Sequence, residues 1–170
     1  MAHALSDAGA PVIGGFHTPV EHACLQILLR GKGPIIVCPA RGMYDRVPAE
    51  FYKALTEGRL LLLSSFNDAE RRVTAELAAY RNRFVAALAD RVLFVHAAPG
   101  GRTEALALEV IGWGKPVYTL GHEANANLVA LGPIPLLANF EGIFEPRVRA
   151  PKSSPANRPL DLVRIRPFRP

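Results

Sequence analysis

The chain has 170 residues, 49% of them apolar and 21% charged, the balance of one soluble globular domain with room for a sizeable core. No apolar run reaches the roughly 18–20 residues that a bilayer span needs. Met1 to Ala10 lacks the basic flank and apolar stretch of a signal peptide, so the expected compartment is the cytoplasm.

In chain order, short apolar runs alternate with longer amphipathic ones. Pro11–Phe16 predicts a first strand that breaks at a glycine pair. Thr18, with Pro19 after it and Glu21 three residues on, has the capping-box pattern of a helix that stops at Gly31. Pro34–Cys38 is apolar throughout, as a strand covered on both faces of a parallel sheet should be. Pro48–Glu57 predicts a second helix closed by Gly58, and Leu60–Leu63 a third strand.

Ala69–Ala89 reads as one long helical stretch, with Val73, Leu77, Tyr80, Phe84 and Leu88 at spacings of three and four. Arg91–Ala97 is the fourth strand, Arg102–Trp113 the fourth helix, ended by Gly114, and Pro116–Leu120 the fifth strand. A short helical turn around Asn125–Ala130 leads to Ile134–Leu137, a sixth strand at an edge.

This alternation predicts an α/β fold: a Rossmann-like, doubly wound, mostly parallel sheet of five to six strands with helices on both faces. We assign residues 1–141 to that domain and 142–170 to a tail. The net charge of +5 lies wholly in the tail, where seven basic residues face two acidic ones, while residues 1–141 carry 13 of each sign. Six prolines in the tail argue for an extended segment, one that adds sequence-independent attraction for nucleic acid, or else is merely solvated or drapes over a neighbouring subunit. An all-apolar parallel sheet needs its edges covered, so a homo-oligomer is expected.

Ligands of such sheets bind beyond the carboxyl ends of the strands. The loops to watch are therefore Gly14–Thr18, Pro39–Gly42, Ser64–Asn67, Ala97–Thr103 and Gly121–Asn127. In Ala97–Thr103, Gly100 and Gly101 precede a helix, so backbone N–H groups can approach a phosphate, with Arg102 and Thr103 adding a guanidinium and a hydroxyl. The alternative is a tight turn with Thr103 as a helix cap. Gly14 and Gly15 open the first helix in the same way, with Phe16 placed to stack on a base and His17 to meet a phosphate, or else to sit exposed in a turn. Arg81, Asn82 and Arg83 lie within the long helix. The two arginines are about 200° apart on an ideal helix, so they serve one site only if the helix breaks near Tyr80–Asn82. Asn125 either contacts ligand through its amide or caps the turn after it.

Metal, cofactor and covalent chemistry are not expected. Cys24 and Cys38 are too few for a disulfide framework or a cysteine-rich metal site. His17 and His22 miss the same-face spacing of helical ligands, and His96 and His122 have no carboxylate cluster. Glu104 and Glu109 read as exposed helix residues, the alternative being catalytic carboxylates. There is no nucleophile-elbow serine and no Walker motif.

The segment Arg81–Leu120 resembles the second half of the Rossmann-like domain of the DNA-processing protein A (DprA, or Smf) family, within the wider DprA/LOG group. There an R-N-R-x-(I/V)-x-(A/G)-L motif precedes a strand, a small-residue loop, a threonine-containing helix and a G-(K/R)-x-V strand. Asn125–Gly132 is similar to that family's N-x-L-I-x-x-G stretch, and Gly14–Leu28 lines up loosely with its first glycine-rich loop and helix, His22 matching the helix histidine. The resemblance implies a ligand that is single-stranded DNA or a nucleotide, bound without catalysis through Gly14, Gly15, Arg81, Asn82, Arg83, Gly100, Gly101, Arg102 and Thr103. It also implies a recombination protein as partner. The family's first loop reads S-G-x-A-R-G-I-D, against Gly14-Gly15-Phe16-His17-Thr18-Pro19 here. Its opening strand and helix, its N-terminal helical domain and its C-terminal winged helix have no counterpart in this reading. The Pro99–Thr103 loop is also similar to the P-G-G-x-G-T-x-x-E motif of LOG nucleotide phosphoribohydrolases, but position 106 is Leu where that motif has its glutamate. A nucleotide second-messenger sensor is the third alternative.

Overall fold

The computed structural model describes residues 1–136 and 143; the expected tail lies outside the described residues. A short helix, α1 (Ala2–Asp7), precedes β1 (Val12–Gly14). Helix α2 (Pro19–Arg30), strand β2 (Ile35–Val37), a 3-10 turn (Ala49–Phe51) with α3 (Tyr52–Thr56), and β3 (Leu60–Leu62) complete a first half. The second half holds α4 (Ala75–Leu88), β4 (Val92–Phe94), α5 (Arg102–Gly112), β5 (Val117–Leu120), α6 (Ala126–Leu131) and β6 (Ile134–Leu136). Every strand pair among the described residues is parallel.

Local chemistry sets the boundaries. The Thr18 hydroxyl accepts from the Glu21 N–H at 3.3 Å while Glu21 Oε2 accepts from the Thr18 N–H at 3.0 Å, which closes the capping box of α2. Helix α4 starts at Ala75 rather than Ala69, because Thr74 is extended and its hydroxyl accepts from the Leu77 N–H. At its other end Lys115 Nζ donates to the carbonyls of Ala86 and Ala89, two of the groups that a helix C-terminus leaves unpaired. The expected helix over 48–57 is a 3-10 turn followed by barely more than one α turn. A helix at α1 was not expected from the sequence at all.

The single sheet of five to six strands needs correction. Among the described residues the strands form two three-stranded sheets, ordered β1-β2-β3 and β4-β5-β6. Strands of three or four residues offer few ladder bonds. The long crossover α4 carries the chain from β3 to β4, and the halves meet through α4, which packs on both β1 and α5. Each half has its own core. Leu25, Leu28, Ile35, Val37, Phe51 and Leu60 pack in the first, and Ala86, Phe94, Ala107, Val110, Val117 and Leu128 in the second. Parallel register sets Val12, Ile35 and Leu60 side by side on the face turned to that first core. No described helix is long and apolar enough to cross a membrane.

Candidate nucleic-acid interface

Parallel strands bring the carboxyl ends of β1 and β2 together, and Arg81 of α4 reaches across them. Its guanidinium is buried, with the residue only 5% exposed. Nη1 donates to the Cys38 carbonyl at 2.8 Å and Nε to Asn82 Oδ1 at 2.8 Å. The group lies against Gly15 so closely that a Cβ there would stand 1.8 Å from Nη1. Glycine is required at this point for close approach. No carboxylate among the described residues lies within ion-pair distance of Arg81. Burial pulls the Arg81 pKa down, opposed by Glu21, Cys38 and Tyr44, yet an arginine keeps its proton at any physiological pH. The Cys38 thiol beside it is buried and pushed up to about 11 by desolvation, which leaves it protonated and inert.

The other expected residues divide between two places. Gly15 and Asn82 lie against Arg81, while Gly14, at the end of β1, accepts from the Cys38 N–H at 2.8 Å. Phe16 is a correction: its backbone is left-handed (φ +50°), which turns the ring over Gly14 and into the first core, 9% exposed, so it offers no face for stacking. His17 is exposed, and its N–H donates to Glu21 Oε2. Helix α4 runs unbroken through Tyr80–Asn82, so Arg83 points elsewhere and pairs with Glu109 of α5 at 2.5 Å.

The second place is the carboxyl edge of β4 and β5. Gly100 has φ +68°, and its N–H donates to Glu104 Oε2 at 2.6 Å. Asn127 Nδ2 donates to the other Glu104 oxygen at 2.7 Å, and these two bonds hold the carboxyl below its usual range, the Asn127 bond contributing most. The loop read as a phosphate cradle is thus tied to a carboxylate of its own helix. Gly101 is the N-cap of α5, so Thr103 is not, and Arg102 and Thr103 stand exposed on the first turn. Asn125 is 2% exposed, and its Nδ2 donates to the carbonyls of Val95 and Leu120. With both amide protons spent, Oδ1 accepts from His96 Nδ1 at 2.9 Å, an arrangement that fastens the ends of β4 and β5 together. Asn125 makes no cap bond, and its amide has no donor left for a ligand.

One residue the sequence reading passed over is Arg41. It follows β2, its carbonyl accepts from Ser64 Oγ, and its guanidinium lies 4.8 Å from the centre of the Tyr44 ring. Pro39–Gly42 was one of the loops expected beyond a strand's carboxyl end, where glycine suits close backbone approach, but Arg41 itself was not singled out. Gly42 has a steric reason too, since a Cβ there would meet the Asn67 carbonyl oxygen at 2.5 Å.

These features define a class: a parallel α/β domain with a buried guanidinium at the carboxyl ends of its strands. Its fold is similar to DNA processing protein A from Streptococcus pneumoniae, with a TM-score of 0.69 at 14% identity over 87% of this chain. It is similar also to DNA processing protein A from Helicobacter pylori, a structure concerned with that protein's single-stranded DNA binding mode, with a TM-score of 0.64 at 20% identity over 84% of this chain. The chain spans 56% of the former structure and 67% of the latter. Among curated proteins none matches. The family described as DNA recombination-mediator protein A matches residues 1–131, and the chain belongs to it.

Proposed function

We propose that this protein binds single-stranded DNA, in the cytoplasm and without catalysis, along the carboxyl edge of β1 and β2, and that it hands the strand to a recombination protein. The observation that carries this reading is Arg81, a buried cation with no carboxylate at ion-pair distance among the described residues. Desolvating a charge costs several kcal/mol unless an opposite charge compensates it. A phosphate of the bound strand supplies that charge where Gly15 lies against the guanidinium and the Cys38 carbonyl holds Nη1. Membership of the DNA recombination-mediator protein A family and the H. pylori structure support the choice of ligand. The hydrolase reading has less support, since Leu106, at the place of the LOG glutamate, packs against the second core.

The test is fluorescence anisotropy of a labelled oligothymidylate. Arg81→Gln is expected to weaken binding by about tenfold or more, the scale of one lost charge-assisted contact. Lys53→Ala, at an exposed position of α3 paired with Glu57, should change it little. Equal effects of the two substitutions contradict the assignment.

A further inference from the structure

We propose that Tyr80, backed by Phe66, is the platform on which an unpaired nucleobase of the bound strand stacks; this rests on the single-stranded DNA reading above. Phe66 stands in the loop after β3, and Tyr80 is on α4, one residue before Arg81. Their rings lie 5.5 Å apart, tilted by 57°. Tyr80 is 55% exposed, and no described group hydrogen-bonds its hydroxyl. It is therefore an aromatic ring fixed from one side by another ring and open to solvent on the other. Phe16 cannot fill this role, because its ring is in the core.

Two arginines near the platform in sequence can meet a nucleic-acid backbone beside the stacked base. Arg81 follows Tyr80 directly. Arg72, on the loop joining Phe66 to α4, is exposed and has no ion pair among the described residues, whereas its neighbour Arg71 pairs with Asp45. Asp68, Glu70 and Glu76 are also on this stretch. Glu76 is held below the usual carboxylate range chiefly by its own backbone N–H and by the Thr74 hydroxyl, so it stays charged. Every base has a π-face, so stacking gives affinity without sequence preference, and only unpaired bases can use it. The pair thus explains how a site built on one guanidinium can distinguish a single strand from a duplex.

The experiment compares a labelled oligothymidylate with an abasic oligonucleotide of equal length, against wild type, Tyr80→Ala, Tyr80→Phe and Phe66→Ala. Tyr80→Ala should weaken the oligothymidylate by about 5- to 100-fold and leave the abasic strand unchanged. Tyr80→Phe should bind as wild type does, since stacking uses the ring and not the hydroxyl. Phe66→Ala should give a smaller loss of the same kind. Wild-type binding that Tyr80→Ala leaves intact, or a loss equal on both strands, overturns the platform alone. No wild-type binding to either strand overturns the single-stranded DNA reading and the platform with it.

Discussion

At the scale of single residues, Arg81 and Gly15 explain each other. The arginine can lie across the end of β1 only because position 15 has no side chain. Gly15→Ala should therefore force the guanidinium aside, costing about 1–3 kcal/mol of stability by overpacking, measured by urea unfolding. Much of that cost should vanish when Arg81→Gln is added, because the shorter amide vacates the space; strictly additive effects would contradict this contact. The sequence showed both residues as candidates but not their pairing, since 66 positions separate them and only the fold brings them together. Phe16 misled for a physical reason. A non-glycine residue in the left-handed region turns its side chain where a strand-to-helix pattern does not foresee, here inward. Asn125 was legible as a special residue but not as a saturated one, because its partners are carbonyls on two different strands.

At the scale of elements, capping decided what could be read. The Thr18–Glu21 box was plain in the sequence, and Thr18→Ala should lower stability by about 1 kcal/mol, seen as a reduced midpoint in denaturant with an unchanged slope. Helix α4 was read as starting six residues too early because Val73 continued the apolar spacing, while the stop signal was the hydroxyl of Thr74. The loop before α5 has a different lesson. Its glycines announced an anion, and an anion is there, the carboxylate of Glu104. Because that carboxyl titrates lower when folded than when unfolded, its contribution is complete above about pH 4.3 and is lost as pH falls through the folded value. Glu104→Gln should accordingly show a shallower loss of thermal stability on the acid side than wild type. Parallel acid profiles would mean that the Gly100 and Asn127 bonds do not hold the charge.

At the scale of the whole molecule, the alternation of strand and helix made the α/β class and the parallel pairing legible, since each apolar run was short and each helix stripe periodic. Two separate sheets were not legible, because whether β1 and β4 share a ladder depends on how α4 seats between the halves and on strands too short to advertise their neighbours. That seat is also where Arg81 crosses from α4 to the ends of β1 and β2, so it has two roles to choose between: a tie between the halves, or a receptor for a phosphate. Thermal unfolding of wild type and Arg81→Gln, each with and without saturating oligothymidylate, separates them most directly. A receptor predicts that the ligand-free variant is as stable as wild type or more so, because a buried charge without an ion-pair partner among the described residues is gone, and that the oligonucleotide raises the melting temperature of wild type alone. A variant that is markedly destabilised without ligand, yet gains as much as wild type when the oligonucleotide is added, would contradict the account and leave Arg81 a structural tie.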